Sequence, residues 1–197
     1  MIKLKDLLTE GKPPNIFVPR RMEDRVERLI NLYIRNGSKG YLNLRQMSLN
    51  KLPDILKNVN VGGSFNCSVN NLTSLENAPK SVDGDFYSSG NELTSLVGAP
   101  KTVGEDFYCS YNLLTSLEGA PETVSGDFYC SNNKLTSLTG APETVGDTFY
   151  CQRNELKSLK GAPKTVGGNF YCYYNPGLFS ERQIKRVCKV GGSIWTD

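Results

Sequence analysis

Apolar positions in this chain return at a fixed interval of 21 residues. Phe65, Phe86, Phe107, Phe128, Phe149 and Phe170 are separated by five identical steps without an insertion. Two residues after each Phe stand Cys67, Ser88, Cys109, Cys130, Cys151 and Cys172. Five after stand Asn70, Asn91, Asn112, Asn133, Asn154 and Asn175. Leu72, Leu93, Leu114, Leu135 and Leu156 follow, then a second leucine column from Leu75 to Leu159, an Ala-Pro pair, and Val82, Val103, Val124, Val145 and Val166 before a Gly-containing turn. A unit this short cannot bury its own apolar face, so units must stack with each Phe, Cys, Leu and Val over its equivalent. The Phe-x-Cys alternation turns two side chains inward on a short strand, and equal registers make the strands parallel. Ala-Pro disfavours helix, so the remainder of each unit is expected to be extended or turn-like.

The ends of the array read as caps. Met22, Val26, Leu29, Ile30 and Tyr33 follow helical spacing, with Gly37 placed to stop the helix. Leu42, Leu44, Leu49, Leu52, Ile55, Leu56 and Val61 read as a degenerate first unit, with Leu44, 21 residues before Phe65, in the Phe position. After the array, Ser180 and Gln183 have capping-box spacing, and Phe179 and Ile184 that of a hydrophobic staple. They predict a helix over roughly 181–190 with Ile184, Val187 and Cys188 on its apolar face. The tail with Trp195 shows no pattern. The expected organisation is an N-terminal segment and Pro-rich linker over 1–19, a helical cap with the degenerate unit over 20–62, the solenoid over 63–178, and a C-terminal capping helix and tail over 179–197.

The 197 residues suit one domain of ordinary size. They contain no His, which removes Ser-His-Asp and Cys-His nucleophilic sites and the His-containing metal centres. No enzymatic activity, cofactor, metal or small-molecule substrate is therefore expected. The Cys column reads as small buried core residues of a reducing compartment, since in-register side chains point the same way and no Cys-x-x-Cys spacing occurs. Cys188 is the single thiol outside the column. The Asn column reads as structural, its amides serving backbone groups left unpaired at the bend.

Outward columns face no core that would dictate them. Between Phe and Cys stand Tyr87, Tyr108, Tyr129, Tyr150 and Tyr171, and before Phe stand Asp85, Asp106 and Asp127. After Cys come variable pairs that include Tyr111, Arg153, Tyr173 and Tyr174. Tyrosine beside Ser, Asn and Asp provides rigid contact area of the kind used in antibody paratopes. The same tyrosines also suit a stacked column that stabilises strand pairing; both readings stand. The Thr73, Thr94, Thr115 and Thr136 column is single and broken by Lys157, which argues against an ice-binding surface.

Residues 1–60 hold 12 Lys or Arg against 6 Asp or Glu, and residues 61–197 hold 11 against 14. The basic residues of the N-terminal part interleave with Glu23, Asp24 and Glu27 as on a solvated helix face, so nucleic-acid binding there is a lesser alternative to a protein partner. No apolar run reaches the roughly 18 residues needed to span a bilayer. A membrane partner is thus not expected, and an intracellular location is.

The motif Phe-x-Cys-x-x-Asn-x-Leu-x-x-Leu over residues 63–178 resembles the leucine-rich repeat, with Phe and Cys replacing two leucines. That resemblance implies a solenoid whose strands line a concave face and bind a macromolecule there. The amphipathic start, Met1-Ile2-Lys3-Leu4-Lys5-Asp6-Leu7-Leu8-Thr9-Glu10-Gly11, is similar to the capsid-targeting peptides of large tailed bacteriophages. This second resemblance implies cleavage between Glu10 and Gly11, and a phage protein that acts on a host factor or is packaged as an internal or structural virion protein.

Overall fold

A computed structural model describes residues 22–197; Glu10, Gly11 and the rest of the targeting-like segment lie outside the described residues. Each Phe position opens a two-residue strand. Leu42–Asn43, Phe65–Asn66, Phe86–Tyr87, Phe107–Tyr108, Phe128–Tyr129, Phe149–Tyr150, Phe170–Tyr171 and Ile194–Trp195 pair in chain order as one parallel sheet of eight strands. The register sets Phe on Phe and Tyr on Tyr. A second row runs along another side of the solenoid through the Val positions. It comprises three strands from Asn60–Val61 to Thr102–Val103 and four from Thr123–Val124 to Lys189–Val190. The chain after Ala-Pro is thus extended, as the prolines predict.

The inward columns form one continuous core. The six Phe side chains of the column, Cys67, Cys109, Cys130, Cys151, and the column leucines Leu72, Leu75, Leu93, Leu96, Leu114, Leu117, Leu135, Leu138 and Leu156 have no exposed surface. Successive Phe rings lie 5.1–5.9 Å apart. The Asn column locks unit to unit: Asn133 Nδ2 donates to the Cys130 carbonyl of its own unit and the Cys109 carbonyl of the previous one, both at 3.1 Å. Its Oδ1 accepts the Leu114 N–H at 3.1 Å. The pattern repeats at Asn91, Asn112, Asn154 and Asn175. Cys67, Cys109, Cys130 and Cys151 Sγ each donate to the Tyr carbonyl of the next rung at 3.2–3.4 Å. Ser88 Oγ makes the same bond to Tyr108 at 2.9 Å, so the position requires a small side chain with a donor.

The N-terminal cap agrees with its helical spacing: α1 (Met22–Arg35) buries Val26, Ile30 and Tyr33. It ends with the Ser38 N–H donating to the Tyr33 carbonyl and Gly37 at φ +80°. The register of the first unit differs from the expected one. Leu42, not Leu44, pairs with Phe65, and Leu44 takes the Cys position. The unit holds two more residues than the others because a 3-10 turn, Asp54–Asn58, is inserted before Val59. The internal spacing of Leu42, Leu44, Leu49 and Leu52 matches that of Phe65, Cys67, Leu72 and Leu75, and that spacing carries the true phase.

The C-terminal helix is shorter than expected. Helix α2 (Glu181–Val187) buries Ile184 but leaves Val187 47% exposed. Gln183 Oε1 accepts the Ser180 backbone N–H at 2.8 Å, as the capping-box spacing predicts. The chain then leaves the helix at Cys188 and forms a further rung: Lys189–Val190 pairs with Thr165–Val166, and Ile194–Trp195 with Phe170–Tyr171. The repeat is audible in Val190-Gly191-Gly192, which matches Val166-Gly167-Gly168 and Val61-Gly62-Gly63. Three extra residues in α2 move it out of the 21-residue phase. Among the described residues no helix is long and apolar enough to cross a membrane.

Leu117→Ala should lower unfolding free energy by about 2–5 kcal/mol, because the cavity opens between two stacked units that cannot collapse independently. Chemical denaturation measures it; a loss below about 0.5 kcal/mol would contradict the stacked core.

Candidate functional site

The outward side of the eight-strand sheet gathers most of the residues singled out by sequence. Tyr87, Tyr108, Tyr129, Tyr150 and Tyr171 stack in one column with ring centroids 4.3–4.9 Å apart and planes within 13° of parallel. Trp195, which showed no sequence pattern, continues the column 6.0 Å beyond Tyr171. At the other end Asn66 Nδ2 donates to Tyr41 Oη at 2.7 Å. The rings are half-buried and face one another along the column, so their edges rather than their faces are turned outward.

The aspartates serve this column. Tyr87, Tyr108 and Tyr129 hydroxyls donate to Asp85, Asp106 and Asp127 Oδ2 at 2.8, 2.8 and 2.6 Å. The Oδ1 atoms accept the backbone N–H of the next rung, at Asp106, Asp127 and Thr148, at 3.1, 2.8 and 2.7 Å. Each carboxylate therefore fixes its own tyrosine and the strand beside it. Burial, followed by the bonded carboxylate, raises the Tyr87 pKa to about 12 and moves Tyr108 and Tyr129 in the same direction.

The variable positions stand on the rim of this surface. Four residues after each Phe the chain turns left-handed: Val69, Tyr111, Asn132, Arg153 and Tyr174 all have φ of +55° or +56°, and Gly90 has +67°. Tyr111 is 66% and Tyr174 60% exposed. Near the C-terminal end these residues cluster. Arg153 lies 5.0 Å over the Tyr174 ring, Tyr173 meets Tyr174 and Tyr171 edge-on, and the Tyr174 N–H is held by the Asp197 carboxylate at 2.9 Å. Gln152 Oε1, at the same corner, is buried without a partner among the described residues.

Other candidate chemistry is weaker. All six cysteines are free and buried. Burial pushes Cys67 up to about 12 and Cys188 up to about 11, which holds both as unreactive thiols near neutral pH. No group of three or more Cys, Asp or Glu among the described residues is arranged for a metal. The basic residues of α1 alternate with acidic ones on its exposed side, Arg25 and Arg28 about Glu27.

The sequence matches no protein-family description and no curated protein. Among solved structures the chain is similar to the leucine-rich-repeat domain of a Shigella effector, with a TM-score of 0.56 and 20% identity over 91% of this chain and 90% of that one. The fold is therefore leucine-rich-repeat-like, a parallel-strand solenoid flanked by two helices.

Because burial raises these thiol and phenol pKa values above their unfolded ones, the protonated groups favour the folded state at neutral pH. Stability should be level below about pH 9 and fall as pH rises toward about 12, where folded Cys67 and Tyr87 titrate. Denaturation midpoints across that range test this. Alkylation at pH 8 should leave Cys109, Cys130, Cys151 and Cys172 unmodified until the protein is unfolded.

Proposed function

We propose that the chain is a non-catalytic protein-binding module that recognises its partner on the outward face of the eight-strand sheet. The leucine-rich-repeat-like fold supports a binding scaffold, and the strained rim supports this face. A non-glycine residue at positive φ costs on the order of 1 kcal/mol, and Gly occupies such a position without strain. The chain places Gly98, Gly119, Gly140 and Gly161 at its other recurring left-handed turn. Those glycines are required by space, since a Cβ there would come within 2.4–2.7 Å of the preceding unit's backbone; at Gly90 on the rim the nearest atom would be 3.5 Å away, and the rim carries exposed Val69, Tyr111, Arg153 and Tyr174 at positive φ. Large exposed side chains at strained positions are costly to folding and useful to a contact surface. In this reading the tyrosine column is the floor of the site, its aspartates hold that floor, and Tyr111, Arg153, Tyr173 and Tyr174 are the projecting anchors. Aromatic and Arg side chains are the usual anchors of such interfaces.

The finer reading, a phage protein acting on a host factor or packaged in the virion, draws support from Leu8-Thr9-Glu10 before Gly11, together with short repeats of this type. If it holds, peptide mapping of purified particles should find a chain beginning at Gly11, and a chain beginning only at Met1 removes it. The basic N-terminal region remains the site of the lesser, nucleic-acid alternative.

Tyr111→Gly separates recognition from folding. It relieves a positive φ and touches no neighbouring ring, so stability should hold or rise by about 0.5–1 kcal/mol, while affinity for a captured partner falls about tenfold or more. Tyr129→Ala should lower both, since it also breaks two ring stacks. Unchanged affinity in Tyr111→Gly, beside wild type in the same capture, would move the site away from this rim.

A further inference from the structure

The turn between the two leucine columns and Ala-Pro carries two outward positions in every unit. One reads Thr73, Thr94, Thr115, Thr136 and then Lys157; the other reads Glu76, Val97, Glu118, Thr139 and then Lys160. Both become lysine only in the last full unit, the one against α2. The backbone ladder of this turn stops at the same place. Leu96, Leu117 and Leu138 N–H groups donate to the carbonyls of Glu118, Thr139 and Lys160 in the following unit, each at 2.9 Å. Leu75 and Leu159, at the two ends of this ladder, make no such bond among the described residues; after Leu159 the chain enters α2 in place of a further turn.

What results is an open groove of about 660 Å³ between residues 157–162 and α2. Its floor is apolar: Leu159 is only partly covered although Leu75, Leu96, Leu117 and Leu138 are fully buried, and Val187 is 47% exposed. Its rim carries Lys157, Lys160 and Arg186, none of them in an ion pair among the described residues. Residues 153–197 as a whole hold eight Lys or Arg against three Asp or Glu.

We propose that this groove, separate from the strand face, docks an extended acidic segment of a partner protein. One carbonyl of that segment accepts the Leu159 N–H and so continues the interrupted ladder. Carboxylates on either side face Lys157, Lys160 and Arg186, and an apolar side chain covers Leu159 and Val187. The three features coincide in space, and an acidic peptide answers all of them at once. A nucleic acid would meet the charges but has little to offer the apolar floor, where the one ring, Phe179, is 8% exposed and closed to stacking.

The test is titration of the isotope-labelled protein with a synthetic peptide of eight residues, alternating Glu-Asp pairs with Leu, followed through backbone amide shifts. Binding should move the Leu159, Lys160 and Val187 amides and slow hydrogen exchange at Leu159. It should also weaken as salt is raised. Lys157→Thr with Lys160→Thr copies the preceding unit and so keeps the fold; it should reduce affinity about tenfold. The proposal is overturned if the peptide shifts no groove amide below about 1 mM, if the double variant binds equally well, if single-stranded oligonucleotide occupies the groove more tightly than the peptide, or if the groove amides shift on raising protein concentration alone, which would make a second copy the occupant.

Discussion

Everything in this molecule depends on the fact that a two-residue strand satisfies none of its backbone alone. Each rung leaves N–H and C=O groups that only an identical rung, one unit along, can meet in register, and buried groups left unpaired are costly. The Asn column extends this dependence into the bend after each strand, where one amide reaches carbonyls in two units and a leucine N–H in the preceding one. Such bonds fix the spacing at 21 residues and allow insertion only where ladder bonding is relaxed. The two observed departures obey that rule: a 3-10 turn lengthens the first unit, and α2 lengthens the last.

This constraint explains why so much of the fold is legible from sequence and why the remainder is not. Columns facing the core repeat because every unit solves one packing problem, so Phe, Cys, Leu, Asn and Val declare the solenoid directly. At the ends the packing problem changes and the period drifts. Counting 21 back from Phe65 therefore lands on Leu44 although Leu42 is the paired residue, and Ile194-Trp195 hides a full rung behind a three-residue insertion. The Asp column was legible as an outward stripe. Its second carboxylate oxygen, which accepts the next rung's N–H, follows from strand spacing that no single unit contains.

The same logic sorts the outward residues into those the scaffold requires and those it merely carries. The tyrosine stack and its aspartates tie each rung to the next. The rim at positive φ does the opposite, since Tyr111, Arg153 and Tyr174 strain the turns that hold them. Sequence placed both groups in one site because both face outward. Backbone geometry separates them: φ is decided by the turn, and no residue pattern reports it when Val, Tyr, Asn and Arg share one column.

Charge adds a restraint that the sheet itself lacks. A parallel solenoid ends in terminal strands, here Leu42–Asn43 and Ile194–Trp195, each paired on one side within the sheet, and an edge strand invites another chain to pair. Residues 22–60 hold seven Lys or Arg against four Asp or Glu, residues 61–152 three against eleven, and residues 153–197 eight against three. Both ends are thus basic about an acidic middle. Head-to-tail stacking brings like charge to like charge. The charge pattern thereby opposes growth of the solenoid along its own axis, where the short strands alone would permit it.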